Sequence, residues 1–153
     1  MTPTPGHTAP PISDQVPGSK FPLVQRINGK LKVLGDFLLD RVSSAVLNLS
    51  GQSSGTSRVA VQGSPVVAIN GTETGPDWSY MLGFFDGNAT VLLMNQDSNH
   101  PGLASLELAD HTKTMMEVDP STGVVRAALD DSPYLPGFQV SLLAGDARLF
   151  SWQ

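Results

Sequence analysis

The residues that could do chemistry lie far apart in this chain of 153 residues. Gly51, Ser53 and Gly55 match the spacing of a nucleophile elbow, in which a strained turn exposes a reactive serine. That elbow needs a strand before the serine and a helix after it, with a histidine and an acid further along. The pattern around Ser53 predicts a helix before it and a strand after it, which is the reverse order. The Ser- and Gly-rich run is instead typical of a flexible linker.

Two histidines, His100 and His111, have acidic neighbours and could converge on a metal ion in a β-fold. The sequence contains neither His-Glu-x-x-His nor a closely spaced His-x-His pair, and either pattern would be a stronger signal of a metal site. The residues around His100, from Asn99 to Gly102, are typical of a turn. We therefore predict no metal site and no bound cofactor.

Asp130 and Asp131 are adjacent carboxylates, but neighbours along a strand point to opposite faces of a sheet. They also precede Ser132-Pro133, so a solvated turn is the favoured interpretation. Nucleotide binding has no support, because no Gly-rich loop follows a strand and opens a helix. Since no candidate nucleophile or acid has a recognisable partner to tune it, we predict that the protein is not an enzyme.

Trp78 is the aromatic residue that most resembles a binding residue. It shares one face of a predicted strand with Tyr80, Leu82 and Phe84, and this face is most simply the core. Trp78 also follows the turn residues Gly75-Pro76-Asp77, and an aromatic ring at a loop rim is commonly used to bind a glycan or a protein. We therefore keep Trp78 as a candidate ligand contact beside the core interpretation.

The second half of the chain predicts an all-β fold. Short apolar runs alternate with Asn-Gly, Asp-Gly and Pro-Gly pairs about every ten residues, as in a β-sandwich or barrel. Nine strands are predicted, at residues 58–61, 65–69, 78–85, 90–94, 103–109, 114–118, 124–129, 138–143 and 148–152. The predicted fold class is mainly β, with a compact antiparallel sandwich or barrel as the head.

The first fifty residues are organised differently. Residues 1–20 are a Pro-rich extended arm, and Asn28-Gly29 predicts a two-residue hairpin turn. Asp36 is a suitable N-cap for a short amphipathic helix with apolar residues on one face, namely Leu38, Val42, Ala45 and Leu49. The predicted divisions are an arm at 1–20, a hairpin-helix module at 21–50, a linker at 51–57 and an all-β head at 58–153.

Composition excludes several classes of protein. A formal charge of −5 argues against nucleic acid as the main partner, although the amino-terminal part of the chain is mildly basic. The absence of cysteine excludes a disulfide framework and a thiolate zinc site. We also expect no signal peptide and no membrane insertion, because the chain has no apolar run of eighteen residues.

One block of the sequence resembles a known kind of protein. Ile12-Ser13-Asp14, then Gly18-Ser19, the run from Phe21 to Gln25, Asn28-Gly29-Lys30 and a small helix follow in order between about Pro11 and Leu49. This order is similar to a module found near the amino terminus of tail fibres, tailspikes and head fibres of tailed bacteriophages. Those proteins usually continue into a long shaft, whereas residues 51–57 lead here directly into the β region. The resemblance therefore implies a short fibre or a capsid-decorating spike.

The resemblance implies a non-enzymatic structural protein on the virion surface, assembled in the host cytoplasm as a homotrimer. Its partners would be capsid or tail proteins, with a host glycan or receptor as a further partner. The residues expected to serve attachment or oligomerisation are Phe21, Leu23, Leu38, Val42, Ala45 and Leu49. The alternative is a receptor- or glycan-binding tail fibre tip, which binding of the head to a glycan array would distinguish. An esterase or glycosidase head is a third hypothesis.

Overall fold

The computed structural model describes residues 21–52, 55–71 and 77–153, apart from the side chains of Phe21, Leu23 and Gln52. One helix precedes ten strands in this part of the chain. The elements are α1 (Phe21–Leu38), β1 (Ser43–Gln52), β2 (Thr56–Arg58), β3 (Val66–Gly71), β4 (Asp77–Phe85), β5 (Thr90–Asn95), β6 (Gly102–Leu108), β7 (Met115–Val118), β8 (Val125–Ala127), β9 (Phe138–Leu142) and β10 (Ala147–Trp152).

The strands form two antiparallel sheets that pack face to face. The six-stranded sheet has the order β1-β4-β5-β10-β7-β8, and the four-stranded sheet has the order β2-β3-β6-β9. Side chains of both sheets point into the space between them, where the fully buried ones include Tyr80 and Phe150 from one sheet and Ile69 and Leu106 from the other. The predicted mainly β sandwich is confirmed, and the nine predicted strands overlap β2 to β10.

Turn residues lie at the ends of the strands, as the sequence predicts. The β4–β5 turn has positive φ at Asp86, Gly87 and Asn88 (53°, 63° and 72°), and Gly123 before β8 has φ 74°. Asp, Asn and Gly tolerate this left-handed conformation better than other residues do. The hairpins β4–β5 and β7–β8 therefore close without longer loops.

The predicted hairpin at Asn28-Gly29 is wrong, because both residues lie within the 18-residue helix α1. The apolar residues of this segment recur at spacings of three and four, which fits a helix and not a strand. They are Val24, Ile27, Leu31, Leu34 and Leu38. Pro22 is the second residue of the helix, where its missing N–H is no loss.

The short helix predicted from Asp36 is also wrong. Residues 43–52 form β1, which pairs with β4 from Ser43 opposite Phe85 to Gln52 opposite Asp77. Ala45, Leu47 and Leu49 point toward the core, and the residues between them point away. This alternation is that of a strand, and the strand forms because it pairs with β4. The local sequence does not reveal that partner.

Two predicted boundaries change as a result. Gly51 and Gln52 belong to β1, and Thr56 and Ser57 belong to β2, so residues 51–57 are not simply a linker. Residues 53 and 54 lie outside the described part, as does the predicted arm at 1–20. The sandwich begins at Ser43 and not at residue 58.

Candidate functional site

Helix α1 lies on the outer face of the six-stranded sheet. Leu34 is 6% exposed and forms a second small core with Val118 of β7 and Leu149 of β10. Phe37 and Leu38 of the helix pack against this cluster and so does Leu92 of β5. The carboxyl-terminal half of α1 therefore covers an apolar area that the sheet would otherwise expose.

Polar contacts fix α1 on the sheet near its middle and beyond its end. Lys30 Nζ donates to both carboxylate oxygens of Asp146 at 3.0 and 3.1 Å. Arg41 follows the helix, and its guanidinium lies 4.2 Å from the centre of the Phe37 ring. The same guanidinium donates to Asp86 at 2.5 Å and to Thr90 at 3.2 Å. These contacts hold α1 at a fixed place on the sandwich.

In the described part of the chain, the amino-terminal half of α1 has exposed apolar side chains. Val24 is 49% exposed, Ile27 is 45% exposed and Leu31 is 62% exposed, although all three continue the apolar face that is buried at Leu34. Solvation of apolar area on this scale is unfavourable. The uncovered half of the helix is therefore a candidate contact surface for another molecule.

A groove runs between this face and the sandwich. One wall is formed by Ile27, Leu31 and Leu34, and the other by residues of β5 and of the loop before β10, including Met94 and Leu143. Its volume is about 320 Å³, and its lining is mostly apolar. We call the groove together with Val24, Ile27 and Leu31 the α1 groove. This volume lies at the lower end of the range for small-molecule sites, and it leaves room for a few side chains of a partner.

The charges differ between the helix and the sandwich. Helix α1 carries Arg26, Lys30 and Lys32 but only one acid, Asp36. Residues 43–153 carry eleven acidic and four basic residues. A partner that binds the α1 groove thus meets an apolar surface bordered by Arg26 and by the Lys30–Asp146 pair, while the rest of the sandwich is acidic.

Of the six residues expected to serve attachment, the four whose side chains are described do not form one surface. Phe21 and Leu23 lie in the first turn of α1, and their side chains lie outside the described part. Leu38 is half-buried against the second core, and Val42 is 73% exposed between α1 and β1. Ala45 and Leu49 are on β1 and pack against the main core. The expected helical stripe is wrong, because its members belong to a helix, a connection and a strand.

Trp78 is a core residue. Its side chain is 5% exposed, and its ring stacks on Tyr80 with 5.6 Å between the ring centres. Gly51 of β1 faces the ring so closely that a Cβ there would lie 2.6 Å from Trp78 Cζ2. The core interpretation of Trp78 is the one that the burial supports, and a ligand would find almost no ring surface to contact.

The histidine at position 100 belongs to a solvated turn, as expected. Its Nδ1 lies 2.9 Å from Asp97 Oδ2, and its side chain is 73% exposed. The pKa of Asp97 is lowered, first because the backbone N–H of Asn99 donates to the carboxylate and then because His100 does. Hydrogen bonds from Thr112 to Asp110 and from Ser121 to Asp119 lower the pKa of those carboxylates in the same way. These acids hold turns in place.

The remaining candidates for catalysis are separate. Ser53 lies outside the described residues. His111 lines an open cleft with Lys113 and Asp130, above apolar residues of β6, β7 and β9. Asp130 accepts a hydrogen bond from the backbone of Ser132, as expected for a turn. No group of three His, Cys, Asp or Glu side chains that could hold a metal occurs in the described part of the chain.

Asp131 is the acid whose role sequence reasoning missed. It accepts a hydrogen bond from Arg148 at 2.6 Å, and Arg148 also binds Glu117 at 2.7 and 2.9 Å. The guanidinium is 14% exposed and the Glu117 carboxylate 8% exposed. Burial opposes the charge on Arg148, but hydrogen bonds to Glu117 and then Asp131 outweigh it, so its pKa is raised. The partners lie 17 and 31 residues from Arg148, and no local pattern reveals such a pairing.

Sequence reasoning also missed the α1 groove. Its signal was the spacing of Val24, Ile27 and Leu31, which continues regularly to Leu34 and Leu38. Asn28-Gly29 favoured a hairpin over a helix, because this dipeptide is a strong hairpin marker between two apolar runs.

Comparisons with known protein families, with curated proteins and with solved structures find no match for this chain. Among the described residues, no helix is long and apolar enough to cross a membrane.

Proposed function

We propose that this protein is a non-enzymatic structural protein of a tailed-phage virion, a short fibre or capsid-decorating spike. It attaches by its amino-terminal part, and the β head faces outward. The observation that carries the proposal is the exposed apolar half of α1, a helix whose other half packs on the sandwich. The resemblance of residues 11–49 to fibre and spike modules supports the same assignment.

An attachment role accounts for the uneven exposure of one continuous helical face. Leu34 and Leu38 are covered by the sandwich, whereas Val24, Ile27 and Leu31 are not. A contiguous apolar surface of this kind commonly marks a protein contact. In the proposed assembly the α1 groove receives a capsid or tail protein, and the preceding residues extend the contact. Three copies form a homotrimer on the virion surface after assembly in the host cytoplasm.

A second candidate function is a receptor- or glycan-binding tip. Two features favour it: Tyr134 is 97% exposed beside Leu135, and the open cleft with His111 and Lys113 on its rim lies within the sandwich. A fully exposed aromatic ring is a typical recognition residue. Binding of the purified protein to a glycan array or to host cells, lost in Tyr134→Ala, would favour this function.

Attachment is tested by assembling particles in which every copy of this protein is the variant. Ile27→Asp with Leu31→Asp removes two apolar contacts, which contribute about 1 kcal/mol each when half-exposed side chains are covered. The loss of about 2 kcal/mol should lower binding about thirty-fold, so few copies should remain on purified particles.

Tyr134→Asp with Leu135→Asp is the matched control, because it places the same two charges at exposed apolar residues outside the α1 groove. It should leave the copy number unchanged. Circular dichroism of both purified variants checks that each is folded. Wild-type copy number with the double variant would refute attachment through the α1 groove.

A further inference from the structure

We propose that copies of this chain join head to tail through the two ends of the six-stranded sheet, with β1 of one copy pairing with β8 of the next. The inference rests on the homotrimer proposed above and identifies the surfaces that would form it. It leaves the α1 groove free for the virion.

Among the described strands, none pairs with the outer edge of β1 at this end of the sheet. Strand β1 has ten residues and pairs with β4 on one side, and it is the terminal strand of the sheet. Its sequence from Ser43 to Gln52 contains no charged residue and no proline. Edge strands usually carry such residues, because a free row of backbone N–H and C=O groups can pair with another chain.

Apolar side chains border this edge. Leu39 is 81% exposed and Val42 is 73% exposed in the connection from α1, and Val46 on the outer face of β1 is 55% exposed. Backbone pairing along β1 would place a neighbouring strand beside these side chains. The edge thus offers both hydrogen-bonding groups and apolar area to the same neighbour.

The β8 end of the sheet has the same character. All three residues of β8 are exposed, and β7 is the only described strand that pairs with it. Val124, Val125 and Leu129 are 61%, 41% and 70% exposed. The one charge on β8, Arg126, lies 3.4 Å from Asp119 of its own chain. Neither end therefore presents an unbalanced charge that would repel the other.

Strand direction selects contact between unlike ends. Each neighbouring pair in the six-stranded sheet is antiparallel, so β1 and β8 run in opposite directions. When one copy is rotated about an axis along the strands, its β1 meets β8 of the previous copy in antiparallel orientation. Such a head-to-tail contact covers both ends of every copy when the ring closes. Pairing of β1 with β1 across a two-fold axis would leave the exposed residues at β8 uncovered.

The first test is the mass of the purified full chain by light scattering. The wild type should have the mass of three chains, and Val46→Lys and Val125→Lys should each have the mass of one. Leu143→Lys is the control, because Leu143 is 53% exposed but lies in the α1 groove, and this variant should stay trimeric. A monomeric wild type, or lysine variants that both remain trimeric, would overturn the proposal.

Cysteine cross-linking tests the pairing itself, since the chain has no native cysteine. With a short bis-maleimide, Val46→Cys combined with Val125→Cys should give covalent dimers and trimers, and neither single variant should. Dimers from Val46→Cys alone would show pairing of like ends and would overturn the proposal. Failure of the virion assignment is distinguishable, because a trimer that cross-links as expected but never joins particles refutes only the attachment.

Discussion

At the scale of single residues, Arg148 connects the two sheets of the sandwich. It belongs to β10 of the six-stranded sheet, binds Glu117 of β7 with two nitrogens and donates to the backbone oxygen of Ser141 on β9 at 3.2 Å. Asp131 receives a further hydrogen bond and itself accepts the backbone N–H of Ser141 at 2.8 Å. A single guanidinium thus fixes the relative position of two sheets.

Arg148→Met should lower the free energy of unfolding by about 3 to 5 kcal/mol, because it leaves the buried Glu117 carboxylate without its partner. Urea unfolding followed by circular dichroism measures this change. Adding Glu117→Leu should recover most of the loss, because the remaining buried charge is then removed as well. A single variant within 1 kcal/mol of the wild type would show that the ion pair contributes little.

Sequence reasoning succeeded for residues whose role is local. The turn roles of His100 and Asp130 follow from neighbouring Pro, Gly and Ser residues, and the structure confirms them. The core role of Trp78 follows from its alternation with Tyr80. The role of Asp131 could not be predicted, because it depends on a guanidinium that only the folded sheet brings near.

At the scale of elements, α1 forms in spite of the two glycines in its sequence. Gly29 and Gly35 each lower helix stability by about 1 kcal/mol relative to alanine. A Cβ added to either glycine would meet nothing within 4 Å. The helix is therefore stabilised by packing of Leu34, Phe37 and Leu38 on the sheet, and not by local propensity.

Gly29→Ala should raise the free energy of unfolding by about 0.5 to 1 kcal/mol, since alanine loses less backbone freedom on forming a helix. In a hairpin turn at Asn28-Gly29, where glycine needs positive φ, the same change would destabilise the protein. Thermal and urea unfolding measure the sign of the effect.

Gly137→Ala provides the contrasting variant. Gly137 has φ 82°, and a Cβ there would lie 2.5 Å from Ser105 Oγ. This substitution should destabilise the protein, whereas Gly29→Ala should not. Equal destabilisation by both would contradict a helix at residues 21–38.

The strands after β1 were predictable because turn residues separate their apolar runs. Strand β1 was not, because its run of Ser43 to Gln52 is preceded by a helix and becomes a strand only through pairing with β4. The α1 groove was hidden for a related reason: a helical spacing and a hairpin dipeptide conflicted, and burial of Leu34 decided between them.

At the scale of the whole molecule, the folding unit includes residues that look like a leader. Ala45, Leu47 and Leu49 of β1 pack against the main core, and β1 covers the edge of β4 along its whole length. Removing β1 would therefore expose nine residues of β4 and part of the core.

A chain of residues 40–153 should fold with reduced stability, because it keeps β1 and loses only the cover that α1 provides over Val118 and Leu149. A chain of residues 53–153 should fail to unfold cooperatively, since three core side chains contributing on the order of 1 kcal/mol each and a full strand of hydrogen bonds are missing. Urea titrations of both chains decide the matter. Equal midpoints would mean that β1 is dispensable.

The central place of β10 has a consequence during protein synthesis. Strand β10 lies between β5 and β7, yet the ribosome makes it after the other nine strands. Until β10 emerges, β1-β4-β5 and β7-β8 are separate parts of the six-stranded sheet. Leu34 of α1 then also lacks Leu149, one of the residues on which it packs. A nascent chain interrupted before β10 therefore has no completed α1 groove. Only a chain whose translation has passed the end of β10 can present the complete contact surface.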